Sequence, residues 1–268
     1  MTSKQATVAS FIESAPPGEV SAIDSPDIKA LASNELQHVD HSFKKYNEQQ
    51  YSVVKLPESQ DSVLISAYNS LGGGRYFDTA SETSFHVDHK SQKTSQPQPH
   101  PLSSKHAALI RALENAIAKA TAEHFPSRTT GIHPVNDDAA IVVVLAANKY
   151  SPQNFWNGRW QSTYTIDPTT FAAKGVIKVD VHYYEDGNVR MISSKQVEFA
   201  ADNAEAIARE ISKAENRYQE ELNRGFVALA EGSFKGLRRQ LPVTRQKVEW
   251  EKIGGYRLGQ DVAGGRQR

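Results

Sequence analysis

His182 stands three residues before Glu185 and four before Asp186. That spacing would suit a general base and the carboxylate that orients it. The acidic pair, however, opens Glu185-Asp186-Gly187-Asn188, a turn sequence, whereas His182 sits in an alternating strand on its polar side. A structural or interface role for His182 is therefore favoured over catalysis. His86 and His89 are three apart in another strand-like stretch, where side chains alternate, so the two face opposite ways and cannot share a metal. Gly72-Gly73-Gly74 leads into Arg75-Tyr76-Phe77, which reads as a strand, so it lacks the helix N-terminus that cradles phosphate. A tight turn is expected there. No G-x-S-x-G, Walker A or H-E-x-x-H pattern occurs. None of the 268 residues is cysteine, which removes disulfides, thiolate metal sites and cysteine nucleophiles. An enzyme is not expected, and neither is a cofactor or a metal.

Binding chemistry is better represented. Lys235, Arg238 and Arg239 fall at i, i+3 and i+4 and share one helical face. Phe234, Leu237 and Leu241 line the adjoining face, and Pro242 breaks the run. Beyond it, Trp250 and Ile253 lie on the same side as Val243, amid Arg245, Lys247 and Lys252. Such a basic amphipathic stretch suits a hydrophobic groove on an acidic protein. A terminal helix packed on its own domain fits the pattern equally, and an anionic membrane surface is a third option. A second cluster is Phe155, Trp156, Arg159 and Trp160, residue types found both in cores and at interfaces.

The charge balance sharpens this. Lys plus Arg and Asp plus Glu both total 31, so the formal net charge is zero. Residues 235–268 nonetheless hold nine positive and three negative side chains, which leaves the body with an excess of six negative charges. A globally basic nucleic-acid binder is disfavoured, and the tail lacks a base-stacking platform. Hydrophobic residues make up 38%, and mean hydropathy is −0.56. No apolar run approaches the roughly 20 residues of a membrane span, and the N-terminus lacks the hydrophobic segment of a secretory signal. A soluble intracellular protein is expected.

Positioning these residues requires a mixed scaffold. Val8, Phe11 and Ile12 indicate a first short helix, ended by Ala15-Pro16-Pro17-Gly18. Ser25-Pro26 opens a second, with Ile28, Leu31, Leu36 and Val39 behind it, and Phe43 with Tyr46 mark a third. Short strands follow at 51–56, 62–66, 75–78 and 84–88, then an exposed loop at 90–104 and a helix at 105–125. A second strand group spans about 139–200. Within it, Asn157-Gly158 reads as a hairpin turn, and 177–184 pairs with 189–197. Asp202 and Glu205 form a candidate capping box before a helix of about 28 residues. Its expected stripe is Ile207, Ile211, Ala214, Tyr218, Leu222 and Leu229. The domain reading is an N-terminal helical stalk over 1–50, a strand-and-helix globule over 51–140 and a central sheet over 141–200. Long and basic helices over 201–241 and a tail over 242–268 complete it.

Two long motifs tie this pattern to a family. The stretches from Val181 to Val189 and from Phe234 to Arg245 resemble the two signatures of the F-actin capping protein alpha subunit family. Asn154 to Trp160 and Phe11 to Gly18 are also similar to it. The family pattern usually has Ala or Glu where Gly236 stands, and usually continues its terminal helix through Gly254-Gly255. The resemblance implies an α+β fold: a helical stalk, a central antiparallel sheet shared with a beta subunit, a long helix across that sheet and an amphipathic "tentacle". It implies an obligate heterodimer with a capping protein beta subunit, unstable or insoluble as the alpha chain alone. The heterodimer would bind filament barbed ends, without calcium, and block addition and loss of actin subunits. Lys235, Arg239 and Arg245 match basic actin-contacting positions, Arg238 and Lys247 are helpers, and Trp250 and Ile253 are the apolar anchors. Phosphoinositides would compete at Lys235 and Arg239. Trp156, Arg159, Trp160, His182 and Tyr184 are placed at the beta-subunit interface. Capping-protein regulators are possible further partners, and a cortical cytoskeletal location is implied. The alternative is a scaffold subunit on an actin-related filament without capping activity.

Overall fold

In a computed structural model, the described residues are 3–20, 39–57, 59–121, 128–185 and 188–228. The helix expected after Ser25, the basic segment and everything beyond Ala228 lie outside them.

Two helices begin the chain, α1 (Ser3–Glu13) and α2 (Asp40–Gln49). Ile12 and Ala15 pack against Phe43 and Tyr46, so each helix hides its apolar stripe on the other. Strands β1 (Val53–Lys55) and β2 (Ser62–Leu64) form a hairpin. A four-stranded antiparallel sheet follows: β3 (Ser70–Gly72), β4 (Arg75–Asp78), β5 (Thr83–Asp88) and β6 (Lys93–Pro99). Gly72, Gly73 and Gly74 all have positive φ (81°, 57° and 78°), so the triple glycine makes the expected turn.

Helix α3 (Ala107–Thr121) leads to the main sheet of β7 (Arg128–Val135), β8 (Ala140–Ser151), β9 (Trp156–Ile166), β10 (Ala172–Tyr183) and β11 (Val189–Ala200). Its spatial order is β11-β10-β9-β8-β7, antiparallel throughout. Helix α4 (Ala204–Ala228) then crosses one face beside α3. Ile110, Leu113 and Ile117 of α3 and Ile207, Ile211 and Tyr218 of α4 bury against Val143, Leu145, Trp160, Tyr164, Ile177 and Val179. This is the expected α+β class, with segregated helices on an antiparallel sheet.

Four local expectations need correction. Residues 93–99 form a strand, not a loop. It is an outer strand, where Pro97 and Pro99 forfeit no obligatory ladder donor, and its polar sequence follows from exposure. Asn157-Gly158 lies inside β9, paired with His182 and Val181. The reversal falls earlier, at the 3₁₀ turn Pro152–Asn154, and Phe155 adopts the left-handed conformation (φ 56°). The cap of α4 is Asn203, whose Oδ1 accepts from the Ala206 amide at 2.9 Å. Strand β7 had no strand signal because Gly131 and Pro134 interrupt it; its place at the sheet margin tolerates both.

Gly175 is required by close approach, since a Cβ there would lie 2.3 Å from Tyr164 Cδ1. That approach lets Tyr164 reach across to α4. Its hydroxyl donates to Glu215 Oε1 at 2.6 Å, and Trp160 Nε1 donates to Oε2. Glu215 is not among the residues of the expected apolar stripe, yet it is buried on that side of the helix. Burial raises its pKa above the ordinary carboxylate range, partly offset by the two donors and by Arg128.

Replacing Glu215 by Leu should therefore cost about 2–4 kcal/mol in chemical denaturation, because two buried donors lose their acceptor. The raised folded pKa means the folded state holds more protons than the unfolded one just above the unfolded value of about 4.3. Stability contributed by this group is thus present at acidic pH and lost as pH rises through the folded pKa. Glu215→Gln should flatten that decline in a pH series of unfolding midpoints.

Candidate interaction surface

His182 is expected on the polar side of its strand and at a subunit interface. On β10, Asp180 and His182 do point away from α3 and α4, in the phase of the polar positions. Both are nevertheless buried, because the segment after α1 folds over them. Asp180 accepts from Arg190 Nε at 2.9 Å and Nη2 at 2.7 Å, a bidentate pair. Arg190 Nη1 also donates to the Ser14 carbonyl. One guanidinium therefore joins β10, β11 and the N-terminal layer.

Arg159 sits beside Asp180 in the β9–β10 register. It is only 4% exposed. Its hydrogen-bond acceptors are Asn148 Oδ1 at 3.0 Å, Gln50 Oε1 at 2.7 Å and the hydroxyls of Tyr46 and Tyr150. The Tyr46 ring also lies 5.5 Å from the guanidinium. His182 Nε2 is 2.6 Å from Asn188 Oδ1, and Nδ1 lies 3.9 Å from Glu19 Oε1. Glu19 also accepts from Asn157 Nδ2. Glu185 receives the Tyr183 hydroxyl instead of orienting His182, and Asp186 lies outside the described residues.

Of the five residues expected at a subunit interface, four are thus buried inside this chain. Trp156 and Trp160 are enclosed, and Arg159 and His182 anchor the N-terminal layer. Tyr184 alone keeps partial exposure, with its ring edge-on to Phe155 at 6.1 Å. By strand alternation Trp156 and Trp160 share the face under α4, whereas Arg159 and His182 lie on the other. Asp180, Arg190, Gln50 and Tyr46 were missed; a charged residue inside an apolar strand was the available signal for Asp180. Lys235, Arg238, Arg239, Arg245, Lys247, Trp250 and Ile253 lie outside the described residues. Among the described residues, no cluster of three or more His, Asp or Glu suits a metal, and no helix is long and apolar enough to cross a membrane.

What the described residues leave open is one margin of the sheet. Among them, no strand pairs with the outer side of β11. Met191, Val197 and Phe199 on its helix-covered face are only partly buried against the main core. On the other face Ile192 is 56% exposed; at the strand's start Val189, in phase with Met191, is 62% exposed. Among the described residues, this twelve-residue margin therefore keeps one side of its backbone and part of its apolar surface without a neighbouring strand.

The family described as F-actin capping protein alpha subunit matches residues 8–261. The chain belongs to this family. It is 52% identical over 268 residues to the F-actin-capping protein subunit alpha of Gibberella zeae, covering 98% of each chain. Identity is 50% over 273 residues to that of Neurospora crassa, covering all of both. Among solved structures it is similar to a homodimeric actin capping protein alpha subunit from Plasmodium berghei. The TM-score is 0.75, identity is 20%, and coverage is 90% of this chain and 98% of that one. At that identity the likeness establishes the fold. Family membership places the chain among capping-protein subunits and not among enzymes.

The electrostatic clamp makes a direct prediction. Asp180→Ala leaves Arg190 uncompensated beside buried Arg159. It should cost about 3 kcal/mol, the low end for a broken buried pair because Arg190 keeps a quarter of its surface exposed. Hydrogen exchange should show residues 8–20 losing protection before α3 does.

Proposed function

We propose that the chain is the alpha subunit of a heterodimeric F-actin capping protein. In this reading it pairs with a capping protein beta subunit, binds filament barbed ends without calcium and blocks subunit addition and loss there. The near-complete family match carries the proposal. The open β11 margin supports the heterodimer: strand pairing along it would extend the antiparallel sheet into the partner and complete the cover of Met191, Val197 and Phe199. An obligate interface of this kind buries more than about 2,000 Å², largely apolar. The buried Arg159 and His182 would then act behind the interface, holding the sheet and N-terminal layer as one support. Tyr184 would lie nearest the contact.

Actin contact is assigned to the basic tail. Lys235, Arg239 and Arg245, helped by Arg238 and Lys247, would meet an acidic surface, and Trp250 with Ile253 would add an apolar lock. The concentration of positive charge in a late segment of an otherwise acidic chain favours this. Lys235 and Arg239 are also the phosphoinositide candidates. The cytoplasm and cortical actin are the proposed location.

Pyrene-actin elongation from filament seeds, with this chain co-expressed with a beta subunit, tests the whole reading. Substoichiometric arrest of barbed-end growth is expected. A stable heterodimer that leaves growth unchanged would instead favour the scaffold role on an actin-related filament. The double substitution Lys235→Ala and Arg239→Ala should weaken capping by about 2 kcal/mol or more, roughly thirty-fold, while leaving the heterodimer intact. Ending the chain before Thr244 should chiefly raise the dissociation rate, because the apolar anchors go with the tail.

A further inference from the structure

Between the N-terminal layer and the main sheet lies a cavity of about 410 Å³ whose walls are one-sided in charge. The described lining residues include Gly18, Tyr46 of α2, Thr129 of β7, Asn148 and Tyr150 of β8, and Arg159 of β9. Arg159 is the one charged residue among the described lining, which has no Asp or Glu. Its hydrogen bonds all go to neutral groups, the side-chain oxygens of Asn148 and Gln50 and the hydroxyls of Tyr46 and Tyr150. The neighbouring carboxylates are committed elsewhere. Both Asp180 oxygens accept from Arg190, and Glu19, next to Gly18 in the chain, is directed to Asn157 and His182. Two guanidinium groups and one carboxylate thus leave a positive charge in excess at Arg159. A guanidinium does not shed its proton, and neutral acceptors fill its hydrogen bonds without neutralising it.

The cavity also holds unused donors. The hydroxyls of Thr129 and Tyr150 and the Nδ2 of Asn148 donate no hydrogen bond among the described residues. Thr129 pairs with Ala146, two residues before Asn148, and Asn148 lies directly opposite Arg159, so all four lining residues of β7, β8 and β9 share one face of the sheet. Tyr150 is 47% exposed, which gives the cavity an open side. Donors spread over three adjacent strands suit the three or more oxygens of a phosphate group better than the two coplanar oxygens of a carboxylate.

We propose that this cavity binds a phosphate group, carried by free phosphate or by a small phosphomonoester, with Arg159 as the counter-charge and Thr129, Asn148 and Tyr150 as further donors. The bound anion would neutralise the excess charge and tie the three strands to the N-terminal layer. This site is separate from the basic tail, and it does not rest on the proposed function.

Isothermal titration calorimetry of the full chain at constant ionic strength tests the site, with a beta subunit present if the two chains copurify. The titrants are inorganic phosphate and glycerol 3-phosphate, with acetate as the planar control. Saturable binding of one phosphate group per chain is expected, with acetate roughly ten-fold weaker or more. Tyr150→Phe and Thr129→Val each remove an uncommitted donor, and each should weaken phosphate binding roughly ten-fold. Unfolding midpoints in phosphate-free buffer verify that both variants are folded. The double substitution Lys235→Ala and Arg239→Ala should bind phosphate as tightly as the parent chain. Saturating phosphate should also slow hydrogen exchange in residues 8–20. Tighter binding of glycerol 3-phosphate identifies the ligand as an ester, and tighter binding of inorganic phosphate identifies the free ion. No saturable binding of either titrant, equal binding of acetate, unchanged affinity in both donor variants, or loss of binding on removing Lys235 and Arg239 would overturn the proposal.

Discussion

An antiparallel sheet of five strands has two faces and two margins to protect, and the described residues of this chain do not protect all four. Helices α3 and α4 close one face with the main core. The N-terminal layer and the β1–β2 hairpin close much of the other, where Leu64 packs on Val142, Val144 and Ala146. Sheet margins present backbone groups that need hydrogen-bond partners or water. Strand β7 is short and carries Pro134, which blunts it. Strand β11 is long, regular and without proline. The rest of the architecture is arranged around that unequal protection.

Burying charge is the cost of covering the second face. Asp180, Arg159 and Arg190 could have remained in water had the N-terminal helices been placed elsewhere. Each is instead satisfied by partners drawn from α2, the Gln50 side chain just after it, β8, β11 and the Ser14 carbonyl. Such a network contributes little net stability against an apolar alternative, but it penalises any misplacement of its members. It fixes where the N-terminal layer sits as firmly as the apolar contacts of Ile12 and Phe43 do.

Much of this was legible in the residues. Periodicity gave α1, α3, α4 and the β10–β11 hairpin, because their stripes and alternation are strong. The triple glycine was correctly a turn, because three positive φ angles demand residues without Cβ. The failures share a cause: the signal depended on a neighbour remote in sequence. Lys93 to Pro99 looks like a loop until β5 is beside it. Asn157-Gly158 looks like a turn until β8 is seen to extend to Ser151. Alternation in β10 holds through Val179 and then blurs, because Asp180 and His182 acquire cover from residues more than 150 positions earlier. Side-chain identity located the polar cluster, but only the fold revealed that it faces inward.

The buried carboxylate of α4 has a geometric consequence. A helix lying on a sheet through aliphatic contacts alone can slide or roll with modest penalty. Glu215 removes that freedom, because Trp160 and Tyr164 meet both its oxygens from inward positions of β9. A shift by one turn, about 5.4 Å, would set Ile211 or Gln219 opposite those donors and leave Glu215 in apolar surroundings. The helix is therefore indexed to the sheet like a key in a slot. The last described residue of α4, Ala228, thirteen residues and roughly 20 Å farther along the axis, inherits that indexing.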